Sequence, residues 1–436
     1  MTGASLAAAL VDRGLDPRQQ AAKEALFDRV LRSSGEPDGR NPPSRVWWIP
    51  GRLEVFGKHT DYAGGRTLVC ALPCGLALAA RPRTDGVVRV VDARSGQHVT
   101  VRPSVAAPDL SGWRHYVEVV ARRFARNFPG SRIAADIVFA SDLPRAAGMS
   151  SSSALIVGIA AALAGLARLD ARREWQENLR DSLDVAGYYA CLENGMTFGS
   201  LGGDTGVGTH GGSEDHAAIL TGIPFTLSAF AFVPPRRLVD VRVPATWQFV
   251  LSPSGVTSEK TGAAREKYNR LSEGTRRLHQ LWTSAERQTP SLAAALVEGS
   301  AARERLDALI DRSQVPGWPA DALRARLDHF IREDSRIPSA VDAFDSVDEA
   351  TLSRLAGESQ HDAEVLLGNQ IPETSDLVRK ARQIGAFAAS SFGAGFGGSV
   401  WALIDGSAAN TFAERWHPQA FVASPGPALA ELTSGD

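Results

Sequence analysis

Residues 143–167 read LPRAAGMSSSSALIVGIAAALAGLA. The second part, Ala154–Ala167, contains no charged residue and is apolar all round, which predicts a helix buried in a core. It is shorter than the ~20 residues needed to cross a bilayer. The first part is a small turn with four consecutive serines, Ser150–Ser153, leading into that helix from about Ser150. A helix start carries unpaired backbone N–H groups and the positive end of the dipole. It therefore suits a phosphate, and the hydroxyls can serve phosphate oxygens or a magnesium ion. One serine would suffice as an N-cap. Four point to an anion site. The segment is not a Walker A loop, because no Gly-Lys-Ser/Thr follows the glycine.

Upstream, strand signals fall at 46–49, 53–56, 67–71 and 86–100, the last with a turn at Ser95-Gly96. Residues 113–128 (WRHYVEVVARRFARNF) have helical periodicity, and 133–139 reads as a strand. Downstream, one helix is predicted around 173–193, then a glycine-rich stretch, 199–212. Beyond Pro234-Pro235 the order is strand (247–252), several helices between 260 and 385, and two last strands, 400–404 and 420–423. Residues 1–44 begin helical and end in a loop. The sum is a mixed α+β chain in two domains, 1–238 and 239–436.

Bulk properties agree. At 436 residues the chain exceeds the ~250–300 at which a single core stops growing. A hydrophobic share of 44% excludes wholesale disorder. With 47 basic and 49 acidic residues, the formal charge of −2 gives no footing for nucleic-acid or anionic-membrane binding. Cys70, Cys74 and Cys191 are too few for a disulfide framework and lack zinc spacing, as in a reducing cytosol. The N-terminus has no basic region before its apolar residues, so it reads as a short helix and not as a secretion signal. A cytoplasmic protein is expected.

Two more glycine-rich segments carry polar groups. Residues 50–65 (PGRLEVFGKHTDYAGG) form a short strand, a turn at Gly57, and then Lys58, His59, Thr60 and Asp61. That is either a ligand-binding loop or a polar hairpin tip. Residues 391–403 (SFGAGFGGSVWAL) match G-x-G-x-x-G, but a strand follows Gly398, and no acidic residue sits about 20 positions on at a strand end. A loop letting backbone approach a ligand fits better. Between them lie Glu193 and the run 208–216, GTHGGSEDH, in which Asp215 follows two glycines as an accessible carboxylate. His210 and His216 with an acid match no familiar zinc pattern. Asp204 and Glu214 read as capping or loop-solvating residues.

Together these segments resemble the GHMP kinases, the small-molecule kinase superfamily of galactokinase, homoserine kinase and mevalonate kinase. The match is closest on the galactokinase side. The signature G-R-x-x-x-x-G-E-H-T-D-Y-x-G-G corresponds to Gly51–Gly65, the phosphate loop P-x-x-x-G-L-S-S-S-A to Pro144–Ser153, and G-A-G-F-G-G to Gly393–Gly398. The resemblance implies the GHMP fold, an S5-like α/β N-terminal domain and a ferredoxin-like C-terminal one. It also implies transfer of the ATP γ-phosphoryl group, with magnesium, to a sugar hydroxyl, by analogy the anomeric one. By position, Gly148, Met149, Ser150, Ser151, Ser152 and Ser153 would wrap the phosphates, with Trp113 near the adenine. Ser152 and Glu193 would hold magnesium. Asp215 would be the base, Arg52 its partner. Lys58, His59, Asp61, Gly212, Tyr268 and Gly395 would face the sugar.

Three departures concern the sugar pocket. Lys58 stands where the family has a glutamate; an ammonium cannot accept a hydrogen bond but can pair with a substrate carboxylate, so an acidic sugar is expected unless Lys58 pairs with a neighbouring acid. Residues 208–216 replace the usual C-G-I-M-D-Q wording. In 254–269 the substrate tyrosine aligns only with a gap; Tyr268 is nearest, with Lys260 and Arg265 as further anion contacts. A catalytically silent sugar and ATP sensor, or a kinase for another alcohol, stays open as an alternative. Monomer and homodimer are not distinguished.

Overall fold

The computed structural model describes residues 1–35, 44–103, 110–144, 148–256 and 262–432. The chain builds two sheets. The first comprises β1 (Arg45–Phe56), β2 (Arg66–Pro82), β3 (Val88–Asp92), β4 (His98–Val101), β5 (Ala135–Ser141), β6 (Thr226–Ala231) and β7 (Arg236–Arg242), together with the late strand β12 (Ala430–Leu432). Its order is β12-β1-β2-β5-β3-β4, with β6 also on β2 and β7 on β6. The second is antiparallel, in the order β11-β8-β10-β9, from β8 (Trp247–Pro253), β9 (Ala388–Phe392), β10 (Ser399–Asp405) and β11 (Phe421–Ala423).

Both faces of the first sheet are covered. Helices Gly3–Asp12 and Gln20–Ser34 lay Leu6, Leu10, Phe27 and Val30 against Trp48, Ala77 and Val138 on one side. On the other, the apolar helix Ser151–Leu166 packs on β1 and β2, with Ile156, Val157 and Ile159 fully buried. Its uniform apolarity, plain in the sequence, follows from being enclosed by sheet and further helices. A separate cluster (Leu278, Trp282, Leu306, Leu327, Phe330) joins the helices Gly262–Ala285, Ser300–Arg312 and Ala320–Asp345.

Two strands read separately in the sequence, 46–49 and 53–56, are one strand, β1, interrupted by a register shift between Pro50 and Arg52. Proline cannot donate to a ladder and collects at such bulges. Here the Arg52 N–H turns from the sheet to the Met149 carbonyl at 3.3 Å. Gly51 is required beside it, since a Cβ would lie 2.8 Å from that same oxygen. The single helix expected at 173–193 is two, Arg173–Asn178 and Ser182–Asn194, because Asp181 caps the second through the N–H groups of Leu183 and Asp184, both at 2.9 Å. The hairpin of β6 and β7, and strands β9 and β12, were not predicted. The expected division at 238/239 falls inside β7, which stays hydrogen-bonded to β6 through Arg242.

Candidate active site

One cavity gathers residues from several separate stretches: Arg52 and Glu54 of β1, His59, Asp61 and Tyr62 after it, Ser153, Glu193–Asn194, Gly211–Gly212, Glu214–His216, Tyr268, and Gly393–Ala394. The bulge in β1 aims Arg52 inward. Its Nε donates to Asp215 Oδ1 at 2.6 Å, its Nη1 to the Gly148 carbonyl at 3.1 Å, and its Nη2 lies 3.1 Å from Glu214 and 3.4 Å from Glu54. Burial works against this guanidinium, yet the carboxylates of Asp215, Glu214 and Glu54 raise its pKa above the ordinary value.

Asp215 sits in the first turn of the helix Glu214–Thr221, so the short helix fixes its carboxylate opposite the start of Ser151–Leu166. Between them the Ser153 hydroxyl reaches Glu193 Oε2 at 2.8 Å and Asp215 Oδ2 at 3.1 Å. A hydroxyl has one proton, so Ser153 serves one carboxylate at a time. Asp61 accepts the N–H groups of Glu214 (3.2 Å) and Tyr62 (2.8 Å). Burial above all, with the nearby Asp215 and Glu54 charges, pushes its pKa up to about 6. Gly212 makes room for it: a Cβ there would meet Asp61 Oδ2 at 2.2 Å. Tyr268 and His59 close the wall with ring centroids 5.5 Å apart.

The mouth of the serine helix is where an anion could be held. Ser150 adopts a left-handed backbone (φ 60°), caps no N–H group, and its buried Oγ lacks a partner. Gly393, at φ +84°, packs against Gly148; a Cβ would sit 2.7 Å from the Gly148 carbonyl. The two glycine loops thus lean on each other beside the helix start. Gly393→Ala is expected to cost about 1–2 kcal/mol from the backbone conformation alone, read as a lower Tm. It should also weaken ATP binding in a titration, because the loops cannot keep their approach.

Several expected site residues lie elsewhere. Lys58 is 1% exposed and absent from the cavity wall. Its ammonium donates to Ser359 (2.6 Å) and Ser390 (2.9 Å), while the Gly57 and Lys58 N–H groups donate to Glu333. Burial lowers its pKa, opposed by Glu333. The lysine turns inward because buried partners await it in the second half of the chain. The hydroxyl on Glu193 is that of Ser153, not of the expected Ser152; one residue further along the helix is about 100° further round. Gly395 packs on Asn369, not on the cavity. Trp113 lies edge-on to Phe139 and is not in the cavity wall. Met149 is buried beneath the loop, and Arg265 is exposed beside Gly208. Residues 145–147 and Lys260 fall outside the described residues. Asp204 is structural, paired with Arg122 and Arg123. Among the described residues no three His, Cys, Asp or Glu side chains are disposed to hold a metal ion.

Glu54 and Glu214 were missed as site residues. The signal for Glu54 was its spacing from Arg52, two positions apart and so on one face of a buried strand.

Comparison with known proteins places this arrangement. Residues 115–222 match the family model of the GHMP kinases N terminal domain, 340–423 that of GHMP kinases C terminal, and 38–82 the galactokinase galactose-binding signature. The three together span more than half of the chain. It belongs to the GHMP kinases. The chain is 27% identical to a galactokinase of Roseiflexus sp. (strain RS-1) over 377 residues, 85% of this chain and 86% of that one. It is also 27% identical to that of Exiguobacterium sibiricum over 402 residues, 89% and 91% of the two. The crystal structure of Lactococcus lactis galactokinase complexed with galactose superposes with a TM-score of 0.72 at 21% identity, over 89% of this chain and 95% of that one. Methanococcus jannaschii mevalonate kinase superposes at 0.58 and 12% identity, over 88% and 99%. This GHMP kinase is therefore a phosphotransferase with an alcohol as acceptor, of the sugar-kinase kind, and uses ATP. No described helix is long and apolar enough to cross a membrane.

Proposed function

We propose that this GHMP kinase transfers the γ-phosphoryl group of ATP to the anomeric hydroxyl of a galactose-like aldose, with Asp215 as base and Mg2+ held by Ser153 and Glu193. The observation that carries the reading is the Ser153 hydroxyl between Glu193 and Asp215, at 2.8 and 3.1 Å, in the first turn of the serine helix. Hard oxygen donors that leave most coordination positions to phosphates suit magnesium. When bound, the ion would neutralise part of the charge on the phosphates. Arg52, fixed by three carboxylates, holds Asp215 facing the cavity; Asp215 orients the acceptor hydroxyl and takes its proton at Oδ2. Asp61, His59 and Tyr268 would contact the sugar, and Gly148, Ser150 and Ser151 the phosphates.

An acidic sugar is not part of the proposal. It required Lys58 to face the ligand, whereas Lys58 is bonded to Ser359 and Ser390, and carboxyls dominate the cavity wall. On sheet membership we also propose to divide the chain after Arg242.

A coupled ADP-release assay over a sugar panel, with the product phosphate located by NMR, tests the reaction. ADP release independent of any sugar, or phosphate on another carbon, would refute it. Asp61 gives a second test. Its folded pKa, about 6, lies above the ordinary 3.8, so the folded state binds the proton more tightly. Stability contributed by protonation is present at low pH and lost as pH rises from about 4 to about 6. Asp61→Asn should remove the part of that loss that falls between pH 4.5 and 7.5, roughly 2 kcal/mol, in urea titrations at those two pH values. It should raise KM for the sugar about tenfold or more.

A further inference from the structure

His59 lines the cavity with a left-handed backbone, φ 57°. A residue with a side chain keeps that conformation only where its surroundings impose it. Here the constraint comes from the other half of the chain. Arg326, on the helix Ala320–Asp345, is 3% exposed and absent from the cavity wall. Its Nη2 donates to the His59 carbonyl at 2.5 Å and to the Tyr62 hydroxyl at 3.0 Å. Its Nε donates to the Leu271 carbonyl at 3.1 Å, and its Nη1 to His329 Nδ1 at 3.0 Å. His329 is free to accept because burial, with Arg326 beside it, holds its pKa well below the usual value. Both hydrogens of Nη2 therefore fall on the loop 58–62, on either side of Asp61.

From Arg326 the donors run one way. A guanidinium can only donate. The Tyr62 oxygen receives from it and has its own proton to give, to His59 Nδ1 at 3.0 Å. The other ring nitrogen, Nε2, lies 3.1 Å from the Ala394 carbonyl, which can only accept. A neutral imidazole must then carry its proton on Nε2; the other tautomer would turn a nitrogen lone pair on a carbonyl oxygen. Ala394 follows Gly393, which packs on Gly148 at the mouth of the serine helix. His59 thus ties the loop bearing Asp61 to the loop beside the phosphate mouth. We propose that Arg326 is a positioning residue for the phosphoryl transfer: it grips the loop 58–62 at His59 and Tyr62 and, through the Tyr62 hydroxyl, fixes His59 as the Nε2–H tautomer that latches this loop to Ala394.

The inference rests on the sugar-kinase reading, and its test has a kinetic and a spectroscopic arm. In the first, Arg326→Met should raise KM for the panel sugar of highest kcat/KM by about tenfold or more, because the loop loses its placement. The ATP Kd, measured by calorimetry without sugar, should stay within about threefold, since Gly148 and the serines are untouched. Arg326→Lys, with one ammonium in place of the guanidinium fork, should fall between the two. A lower Tm with the sugar KM unchanged would make Arg326 merely structural and overturn the proposal. In the second arm, 15N NMR of the wild-type imidazoles at pH 7 reads the tautomer. The His59 signal is assigned by its loss in His59→Asn, asparagine being tolerant of a left-handed backbone. A neutral Nε2–H ring is expected; an Nδ1–H ring or an imidazolium would overturn the latch. This result stands on its own should Arg326→Met fail to fold. ADP release with no sugar of the panel would overturn the sugar-kinase reading, and the tautomer would still decide the latch.

Discussion

Asp215→Asn is expected to lower kcat by roughly 10²–10⁴-fold, the usual contribution of a positioned general base, with the folded protein intact. The carboxylate is held at Oδ1 by Arg52, and its Oδ2 lies 3.1 Å from the Ser153 hydroxyl that it shares with Glu193, so its geometry is set before any ligand arrives. Asparagine keeps the size and can keep an oxygen toward Arg52, but its Nδ2 cannot take a proton from an acceptor hydroxyl. The loss should therefore appear in kcat, while KM for the sugar changes little. Steady-state kinetics with the preferred sugar, beside ATP binding by calorimetry, separates the two quantities. A variant turning over within threefold of wild type would remove Asp215 as base.

Arg52→Met is expected to give the largest stability loss, about 3–5 kcal/mol, because removing one partner of a buried ion pair strands the others. Arg52 faces Glu54, Glu214 and Asp215 with a side chain only 5% exposed. Burial already holds Glu54 and Glu214 above the usual carboxylate range, and the arginine is what pulls them back down. Without it their folded pKa values rise further, so the folded state binds protons more tightly than the unfolded one. The deficit is then smallest in acid, where the carboxyls are protonated, and grows as pH rises through their folded values. Urea denaturation at pH 5 and pH 8 reads this directly: the variant should lose more at pH 8. An equal loss at both would show that packing, not charge, is what Arg52 supplies. Arg52→Lys should recover much of the stability but not the turnover, since an ammonium cannot bridge Asp215 and the Gly148 carbonyl as the guanidinium fork does.

How far this could be read from the sequence varies with how local the determining physics is. The buried helix and its serine mouth were legible because an uncharged apolar run must hide from water along its whole length, while four adjacent hydroxyls need polar partners. So was the strand after Gly398. Tyr268 and Asp61, expected at the sugar, do line the cavity. The hairpin of β6 and β7 was not legible: β7 is largely exposed and reads Arg-Arg-Leu-Val-Asp-Val-Arg, with neither clean alternation nor an apolar run. The direction of Lys58 depends on Glu333, Ser359 and Ser390, roughly three hundred residues away, and no local pattern reports that. Glu214 looked like a cap because it begins a helix. Only the fold brings Arg52 to it.

One pairing sets how the molecule can be taken apart. Strand β12 lies along Val46–Trp48 of β1, the chain having returned from β11 at the edge of the second sheet. The second unit is thus an insertion into the first, threaded between β7 and β12. A fragment ending at 242 would lack β12 and leave Val46–Trp48 as a bare apolar edge, a template for self-association. Expressing residues 1–242 by themselves is therefore a route to aggregates, whereas a fragment that keeps residues 430–432 on β1 would leave no such edge.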